Sequence, residues 1–179
     1  GVQVHGPGFS KILIGEDEIE NWRDFLDVMV SSISDNGGRS CVNASAVIVP
    51  KYGREIADAL GERLGPLNPL PVDDPNAVLS GFANPKMGEW INSTLESDLE
   101  EKGAYDATAP YRSGSRLLEA EGGTYLRPTI VHCDSMEHIL ANREFLCPYA
   151  SVVEVPQAEM LRAIGPTLVC LLYTSPSPR

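Results

Sequence analysis

The sequence has few cysteines, few basic residues and no long apolar run, and each shortage excludes a class of protein. Its 179 residues include four cysteines and no CxxC pair, whereas disulfide-rich secreted domains and zinc ribbons need several closely spaced ones. Lysine and arginine number 14 against 25 acidic residues, and the formal net charge of −11 repels phosphate backbones and anionic lipids. No apolar run reaches the roughly 20 residues that cross a bilayer. We therefore expect no nucleic-acid partner and no membrane partner.

The amino terminus and the histidines exclude two further classes. The first residues, GVQVHGPG, lack the basic and apolar regions of a signal peptide, so we expect a cytoplasmic protein with reduced thiols. His132, Cys133, His138 and Cys147 are residue types that bind zinc. Because adjacent residues of a strand point to opposite faces, His132 and Cys133 make poor co-ligands, and we expect no metal site.

The order of apolar segments predicts an α/β domain. Strands are predicted where apolar residues run together, at 11–14, 46–49, 116–118, 129–131 and 151–155. Helices are predicted where apolar residues recur every three or four positions, at 19–33, at 52–64, after Pro85, and over a short stretch at 136–141. Strands alternate with helices and several strands are apolar throughout. We therefore expect an open twisted sheet with helices on both faces.

One cysteine follows an unusual turn sequence, NGGRSC. Asn36 and the two glycines after it are helix stop signals, so Cys41 is predicted just past a helix end and ahead of a strand. A free cysteine in such a turn is either a small buried hydrophobe or an exposed nucleophile. The glycines let the backbone turn tightly and leave the space beside them open, which is compatible with exposure.

Three segments, in order, resemble motifs of the aldehyde dehydrogenase superfamily. Residues 36–41, NGGRSC, resemble the nucleophile motif Asn-x-Gly-Gln-x-Cys, with Arg39 in place of glutamine. Residues 125–131, YLRPTIV, are similar to a Pro-Thr strand of the family, and residues 143–149, REFLCPY, resemble its Glu-Glu-x-Phe-Gly-Pro motif. The resemblance spans roughly residues 6–169 and implies an incomplete catalytic domain of that superfamily.

The resemblance implies roles for individual residues. Cys41 would be the catalytic nucleophile, whose thiolate attacks an aldehyde carbonyl before hydride passes to NAD or NADP. Arg39 is a nearby cation that faces either the sulfur or solvent. Glu144 would accept hydrogen bonds from the nicotinamide ribose, with a surface salt bridge as the alternative. Leu146 stands where the family has phenylalanine, and Cys147 where it has glycine, so a side chain is added at that point.

The resemblance also draws attention to a missing carboxylate. Hydrolytic members carry a general-base glutamate just ahead of the first strand, where this sequence reads VHGPG at residues 4–8. His5 is either a substitute base or incidental. Acylating reductases of the superfamily transfer the acyl group to coenzyme A or phosphate and do without that glutamate. The absence favours such an enzyme or an unusual dehydrogenase; a catalytically idle scaffold, with its cysteine kept for packing, is the other alternative.

We interpret the chain as an internal piece of a longer oxidoreductase acting on a small aldehyde or acyl substrate. The resemblance implies an upstream domain that binds most of the NAD or NADP, and later elements that support a homo-oligomer. Residues 1–169 are expected to form the partial catalytic domain, which should be inactive alone. Residues 170–179, CLLYTSPSPR, are expected to be either a disordered tail or unrelated, foreign sequence such as an adapter, because Ser-Pro-Ser-Pro cannot extend a strand or helix.

Overall fold

The computed structural model describes residues 6–173, which contain a six-stranded and a two-stranded sheet. The strands are β1 (Ser10–Ile14), β2 (Ala44–Val49), β3 (Ala104–Asp106), β4 (Leu117–Ala120), β5 (Gly123–Leu126), β6 (Thr129–Cys133), β7 (Tyr149–Glu154) and β8 (Cys170–Tyr173). The α-helices are α1 (Leu26–Ser34), α2 (Gly53–Leu64), α3 (Pro85–Leu99) and α4 (Gln157–Ala163). Short 3₁₀ segments lie at Ile19–Phe25, Asp35–Gly38, Ala109–Tyr111 and Ile139–Asn142.

The large sheet is almost entirely parallel. Its strand order is β3-β6-β7-β2-β1-β8, and only the edge strand β3 runs antiparallel to its neighbour. All residues of β1, β2 and β6 are buried, as are all but the last residue of β7. Burial on both faces is typical of parallel sheets whose crossover segments cover them.

Helices cover both faces of this sheet. On one face, Ile12 and Ile14 of β1 join an apolar cluster with α1, α2 and the 3₁₀ segment before α1. On the other face, Leu13 joins a second cluster with α3, α4 and the 3₁₀ segment before β7. The alternation along β1 follows from the two-residue period of a strand. The predicted open α/β sheet with helices on both faces is confirmed.

Most predicted elements are present, with differences at their ends. The predicted helix at 19–33 is a 3₁₀ segment followed by α1, with a non-helical conformation at Asn21 (φ −98°, ψ 18°). The predicted strand at 116–118 corresponds to β4, which pairs with β5 in a hairpin outside the large sheet. The predicted short helix at 136–141 is the 3₁₀ turn Ile139–Asn142. Sequence reasoning missed β3, β5 and α4, which are short elements of three to seven residues.

The last described residues form an edge strand of the large sheet, which the sequence did not predict. Cys170–Tyr173, expected to belong to a separate tail, form β8, which pairs in parallel with β1. Gly15 N–H donates to the Tyr173 carbonyl at 2.8 Å, and the Tyr173 ring stacks on Phe25 with centroids 4.5 Å apart. Leu171 and Tyr173 pack against the apolar cluster on one face of the sheet and Cys170 against the cluster on the other, whereas Leu172 is 56% exposed. Residues 174–179 lie outside the described residues, and the origin of the tail stays a prediction.

Candidate active site

The turn that carries the cysteine leaves α1 through three left-handed residues. Asn36, Gly37 and Gly38 have φ angles of 55°, 67° and 66°. Side chains strongly disfavour this region, and asparagine and glycine are the residues that enter it at least cost. The helix therefore ends where the stop signals predicted, and Cys41 follows in the turn before β2.

Both glycines of this turn lie against other segments. A Cβ atom on Gly37 would come within 2.5 Å of Ser80 Oγ, and one on Gly38 within 2.4 Å of the Pro148 nitrogen. Real Cβ contacts are never this close, so a larger residue at either position would displace a neighbour. The glycines thus serve the conformation of the turn and its close packing.

Cys41 opens into a cleft with a volume of about 540 Å³. The cleft is lined by residues 6–7, by residues 38–41 and by residues 144–146, so it joins the two implied site residues Cys41 and Glu144. Cys41 is partly exposed. Because these segments are far apart in the sequence, only the folded chain brings the cysteine and the glutamate to one site.

The other cysteines differ from Cys41 in environment. Cys133 and Cys147 are buried, and burial raises the pKa of each thiol to about 12; for Cys147 the charges of Arg116 and Arg39 only partly oppose it. Burial also raises the pKa of Cys170, which does not line the cleft. A thiol that stays protonated at neutral pH is a poor nucleophile.

The backbone of the cysteine turn is held by neighbouring side chains. Ser10 Oγ donates a hydrogen bond of 2.7 Å to the Cys41 carbonyl. Asn43 Oδ1 accepts from the Ser40 N–H at 2.8 Å, and its amide nitrogen donates to the Ser32 carbonyl at 3.0 Å. Sequence reasoning missed both anchors. The asparagine two residues after the cysteine was the available signal, since asparagine often binds nearby backbone in turns.

Arg39 has a role that the sequence did not indicate. Its guanidinium donates to the Gly81 and Ser80 carbonyls at 2.9 and 2.8 Å. The same group lies 4.4 Å from the centre of the Phe82 ring, a distance suited to a cation–π interaction. Arg39 therefore attaches the cysteine turn to residues 80–82.

Glu144 contacts backbone rather than a basic side chain. Its carboxylate accepts a hydrogen bond of 3.0 Å from the Gly8 N–H and a shorter one from the Phe9 N–H. Each carboxylate oxygen has a second lone pair, so the group can still accept from two hydroxyl groups. Glu144 borders the same cleft as Cys41.

The two departures from the family motif lie in different environments. Leu146 is 50% exposed and lines the cleft, where its side chain is available to a ligand. Cys147 is 4% exposed, belongs to the apolar cluster that contains Leu13, and is not part of the cleft lining. The side chain added at position 147 is accommodated in the core.

The histidines of the described chain lie outside the cleft lining. His138 Nδ1 accepts from the Leu140 N–H at 3.1 Å, which caps a 3₁₀ turn, and His132 stacks on Tyr105 with centroids 5.3 Å apart. Burial lowers the pKa of His132. His5, considered as a base, lies outside the described residues.

Within residues 6–173, no group of three or more histidine, cysteine, aspartate or glutamate residues could hold a metal ion. No helix in the same range is long and apolar enough to cross a bilayer.

Comparison with protein-family models and with curated proteins finds no match. Comparison with solved structures finds many. The aldehyde dehydrogenase KauB from Pseudomonas aeruginosa aligns with a TM-score of 0.77 and 22% identity over 96% of this chain and 34% of its own. The NAD+ complex of aldehyde dehydrogenase from Bacillus cereus aligns with a TM-score of 0.75 and 19% identity over 95% of this chain and 34% of its own.

A third similar structure has a different cofactor. Glyceraldehyde-3-phosphate dehydrogenase GapN from Methanocaldococcus jannaschii, complexed with NADP, aligns with a TM-score of 0.72 and 14% identity over 95% of this chain and 35% of its own. The chain thus spans about a third of the length of these structures. It has the fold of part of an aldehyde dehydrogenase, which confirms the fold that the sequence motifs implied.

Proposed function

We propose that this chain is the cysteine-bearing part of an enzyme that oxidises aldehydes with NAD or NADP as the hydride acceptor. One observation carries the proposal: Cys41, in a glycine turn, and Glu144 line one cleft within a fold shared with aldehyde dehydrogenases. The cleft holds a partly exposed thiol beside a carboxylate that can still accept from hydroxyl groups.

The proposed chemistry follows from the thiolate form of Cys41. Its sulfur forms a bond to the aldehyde carbon, and the carbonyl electron pair moves to oxygen. When that oxygen reforms the carbonyl, a hydride leaves the same carbon and Cys41 is left as a thioester. A bound nicotinamide cofactor would supply the acceptor for this hydride. A second nucleophile then bonds to the thioester carbon, the carbon–sulfur bond breaks, and Cys41 returns to a thiolate.

The environment of Glu144 and of the cysteine turn supports this assignment. Glu144 would bind the ribose hydroxyl groups, since its carboxylate lies at the cleft and only half of its lone pairs are in use. The turn before Cys41 is packed closely on Pro148 and Ser80, which fixes where its sulfur lies relative to that carboxylate. A fixed relative position of reacting groups is worth a large share of a reaction barrier.

The acceptor of the acyl group is the second point of the proposal. Among the described residues that line the cleft, Glu144 is the one carboxylate, and its oxygens already accept from two backbone N–H groups. None of these residues is placed as a water-activating base. We propose coenzyme A or phosphate as the second nucleophile; water activated by His5, which lies outside the described residues, is the alternative. The whole protein is proposed to be a cytoplasmic homo-oligomer that acts on a small aldehyde or acyl substrate.

Thiol reactivity tests the proposal on the chain itself. The 179-residue chain is treated with iodoacetamide near pH 7, and alkylation of each cysteine is followed by peptide mass spectrometry. We expect Cys41 to react first and faster than a small-molecule thiol, whereas buried Cys133 and Cys147 react only after unfolding. Cys41→Ser is the control that removes the fast phase. If Cys41 is not alkylated until the chain unfolds, the enzyme proposal is wrong and the protein is a catalytically idle scaffold.

The acyl acceptor is tested in the full-length protein. It is assayed with a short aliphatic aldehyde and NAD or NADP, with and without coenzyme A or phosphate. Cofactor reduction that requires one of these acceptors, and is lost in Cys41→Ser, supports the acylating reaction. Equal reduction in water alone assigns a hydrolytic dehydrogenase instead.

A further inference from the structure

We propose that Glu144 is a positioning residue for Cys41: its carboxylate holds the turn at Gly8 and Phe9 against the cysteine backbone, whether or not a cofactor is bound. This proposal rests on the proposed function for the role of Cys41 as nucleophile. It adds to the cofactor contact of Glu144 a role that exists in the chain by itself.

The contact between Glu144 and this turn uses both carboxylate oxygens. Oε1 accepts from the Gly8 N–H at 3.0 Å, and Oε2 accepts from the adjacent Phe9 N–H. Two successive N–H groups that point the same way form a concave site for an anion. Hydrogen bonds from N–H groups to an ionised carboxylate are about twice as strong as neutral ones. A carboxylate is therefore better suited to this place than an amide.

The turn has a strained backbone that depends on such contacts. Phe9 has a φ of 47°, in the left-handed region that aromatic residues rarely enter. Its carbonyl accepts from Lys11 Nζ at 2.8 Å and from Thr167 Oγ1 at 2.9 Å. Lys11 is 3% exposed; burial lowers its pKa, and the charge of Glu144 partly opposes that effect. Strained conformations persist where the surroundings fix them. Here Glu144 binds the N–H group of Phe9, and Lys11 and Thr167 bind its carbonyl group.

The turn in its held position contacts the cysteine directly. A Cβ atom on Gly8 would lie 1.9 Å from the Cys41 carbonyl oxygen, which means that the Gly8 backbone packs against that oxygen. Ser10, the next residue after the turn, donates to the same oxygen at 2.7 Å. A shift of the turn would therefore move or release the Cys41 carbonyl.

The segment that carries Glu144 reaches the cysteine turn by a second route. Gly38 packs on the backbone of Cys147 and Pro148, three and four residues after Glu144. The cysteine turn thus lies between the Gly8 turn and residues 147–148, and Glu144 joins these two sides.

The test compares Glu144→Gln with the unchanged chain in the absence of cofactor. Glutamine keeps one acceptor but turns an NH₂ group towards the second N–H, so the paired contact is lost. Amide hydrogen exchange of the peptide covering residues 36–41 is expected to become at least about threefold faster, because the turn on which Cys41 rests is released. Alkylation of Cys41 by iodoacetamide is expected to slow towards the rate of a small-molecule thiol.

Three further variants complete the comparison. Glu137→Gln removes the same charge from an exposed residue and should leave exchange and alkylation unchanged. Glu144→Asp keeps both acceptor oxygens, so its exchange at residues 36–41 should be slower than in Glu144→Gln and closer to that of the unchanged chain. Should Glu144→Gln fail to fold by circular dichroism, Thr167→Val, which removes one donor to the Phe9 carbonyl, is expected to accelerate exchange at residues 36–41 in the same direction.

The outcomes separate this proposal from the proposed function. Unchanged exchange at residues 36–41 in Glu144→Gln overturns the positioning role and leaves Glu144 with the cofactor contact alone. Accelerated exchange together with an unreactive Cys41 in the unchanged chain supports the positioning role and overturns the enzyme. Accelerated exchange with a reactive Cys41 supports both.

Discussion

Gly38 meets two requirements at the turn before Cys41. Its φ of 66° is unfavourable for other residues, and its α-carbon packs on the backbone between Cys147 and Pro148. Gly165 has a similar φ of 61°, but a Cβ atom there would meet no atom within 4 Å. The two glycines therefore separate the cost of backbone conformation from the cost of close packing.

Substitution of these glycines gives a residue-scale prediction. Gly165→Ala should lower the free energy of unfolding by about 1 kcal/mol, the cost of placing alanine in a left-handed conformation. Gly38→Ala should cost at least about 2 kcal/mol more, since the added methyl group displaces the backbone at Pro148. Urea denaturation measures both. Equal losses would show that the turn yields to the methyl group and that its packing is not close in solution.

At the scale of elements, a buried charge cluster attaches the edge strand β3 to the segment that follows it. Asp106 in β3 accepts from the guanidinium groups of Arg112 and Arg116, each at 2.9 Å, and all three side chains are under 10% exposed. The Thr108 N–H also donates to Asp106 at 2.9 Å. Burial by itself would raise the pKa of Asp106, but the charge of Arg112 and the hydrogen bonds from Thr108 and both arginines lower it overall.

Asp106→Asn is predicted to be strongly destabilising. Two buried guanidinium groups would lose their common carboxylate, and loss of one partner of a buried pair costs about 3–5 kcal/mol. Asp58→Asn is the matched control. Asp58 is exposed, and it accepts a hydrogen bond from Tyr105, which precedes Asp106 in β3. It should change the free energy of unfolding by less than about 1 kcal/mol. Chemical denaturation of both variants at pH 7 is the measurement.

The same cluster predicts a dependence of stability on pH. The pKa of Asp106 is lower in the folded chain than in the unfolded chain, so its contribution is complete above the unfolded pKa. That contribution is lost as the pH falls through the folded pKa, below about 4. Denaturation midpoints measured from pH 7 down to pH 3 should fall less steeply in Asp106→Asn than in the unchanged chain. Parallel profiles would show that Asp106 is not the carboxylate responsible.

At the scale of the whole molecule, the large sheet is completed at one edge by β8. Its residues pair with β1, and Tyr173 stacks on Phe25 at the end of the 3₁₀ segment before α1. Without β8, the backbone groups of β1 on that side would be an open edge, which favours association with other chains. The four residues therefore contribute to the domain in a way that the Ser-Pro pairs after them obscured.

Two shortened chains test this assignment. A chain ending at Tyr173 should have the same unfolding midpoint as the full 179 residues. A chain ending at Val169 should lose roughly 1–3 kcal/mol of unfolding free energy, since the apolar contacts of Leu171 and Tyr173 are removed. It should also aggregate more readily in light scattering. Equal unfolding free energies and equal aggregation of the two chains would show that residues 170–173 belong to the tail.

Local signals in the sequence were sufficient for the main elements and for the cysteine turn. Apolar runs predicted β1, β2, β6 and β7, and Asn36 with its glycines predicted the end of α1 before Cys41. These features depend on backbone preferences and on side-chain periodicity, which act over a few residues. Short elements such as β3 escaped prediction because their pairing partners, not their own residues, stabilise them.

The sequence by itself determined where the chain turns and which cysteine follows the turn, because those properties are local. Only the tertiary structure decided which residues surround that cysteine. Glu144 binds the Gly8 and Phe9 N–H groups, and Arg39 binds the carbonyls of Ser80 and Gly81. Each contact joins segments far apart in the chain. The turns at Gly8, Cys41 and Glu144 precede β1, β2 and β7, so they meet only once these parallel strands have brought their amino ends together.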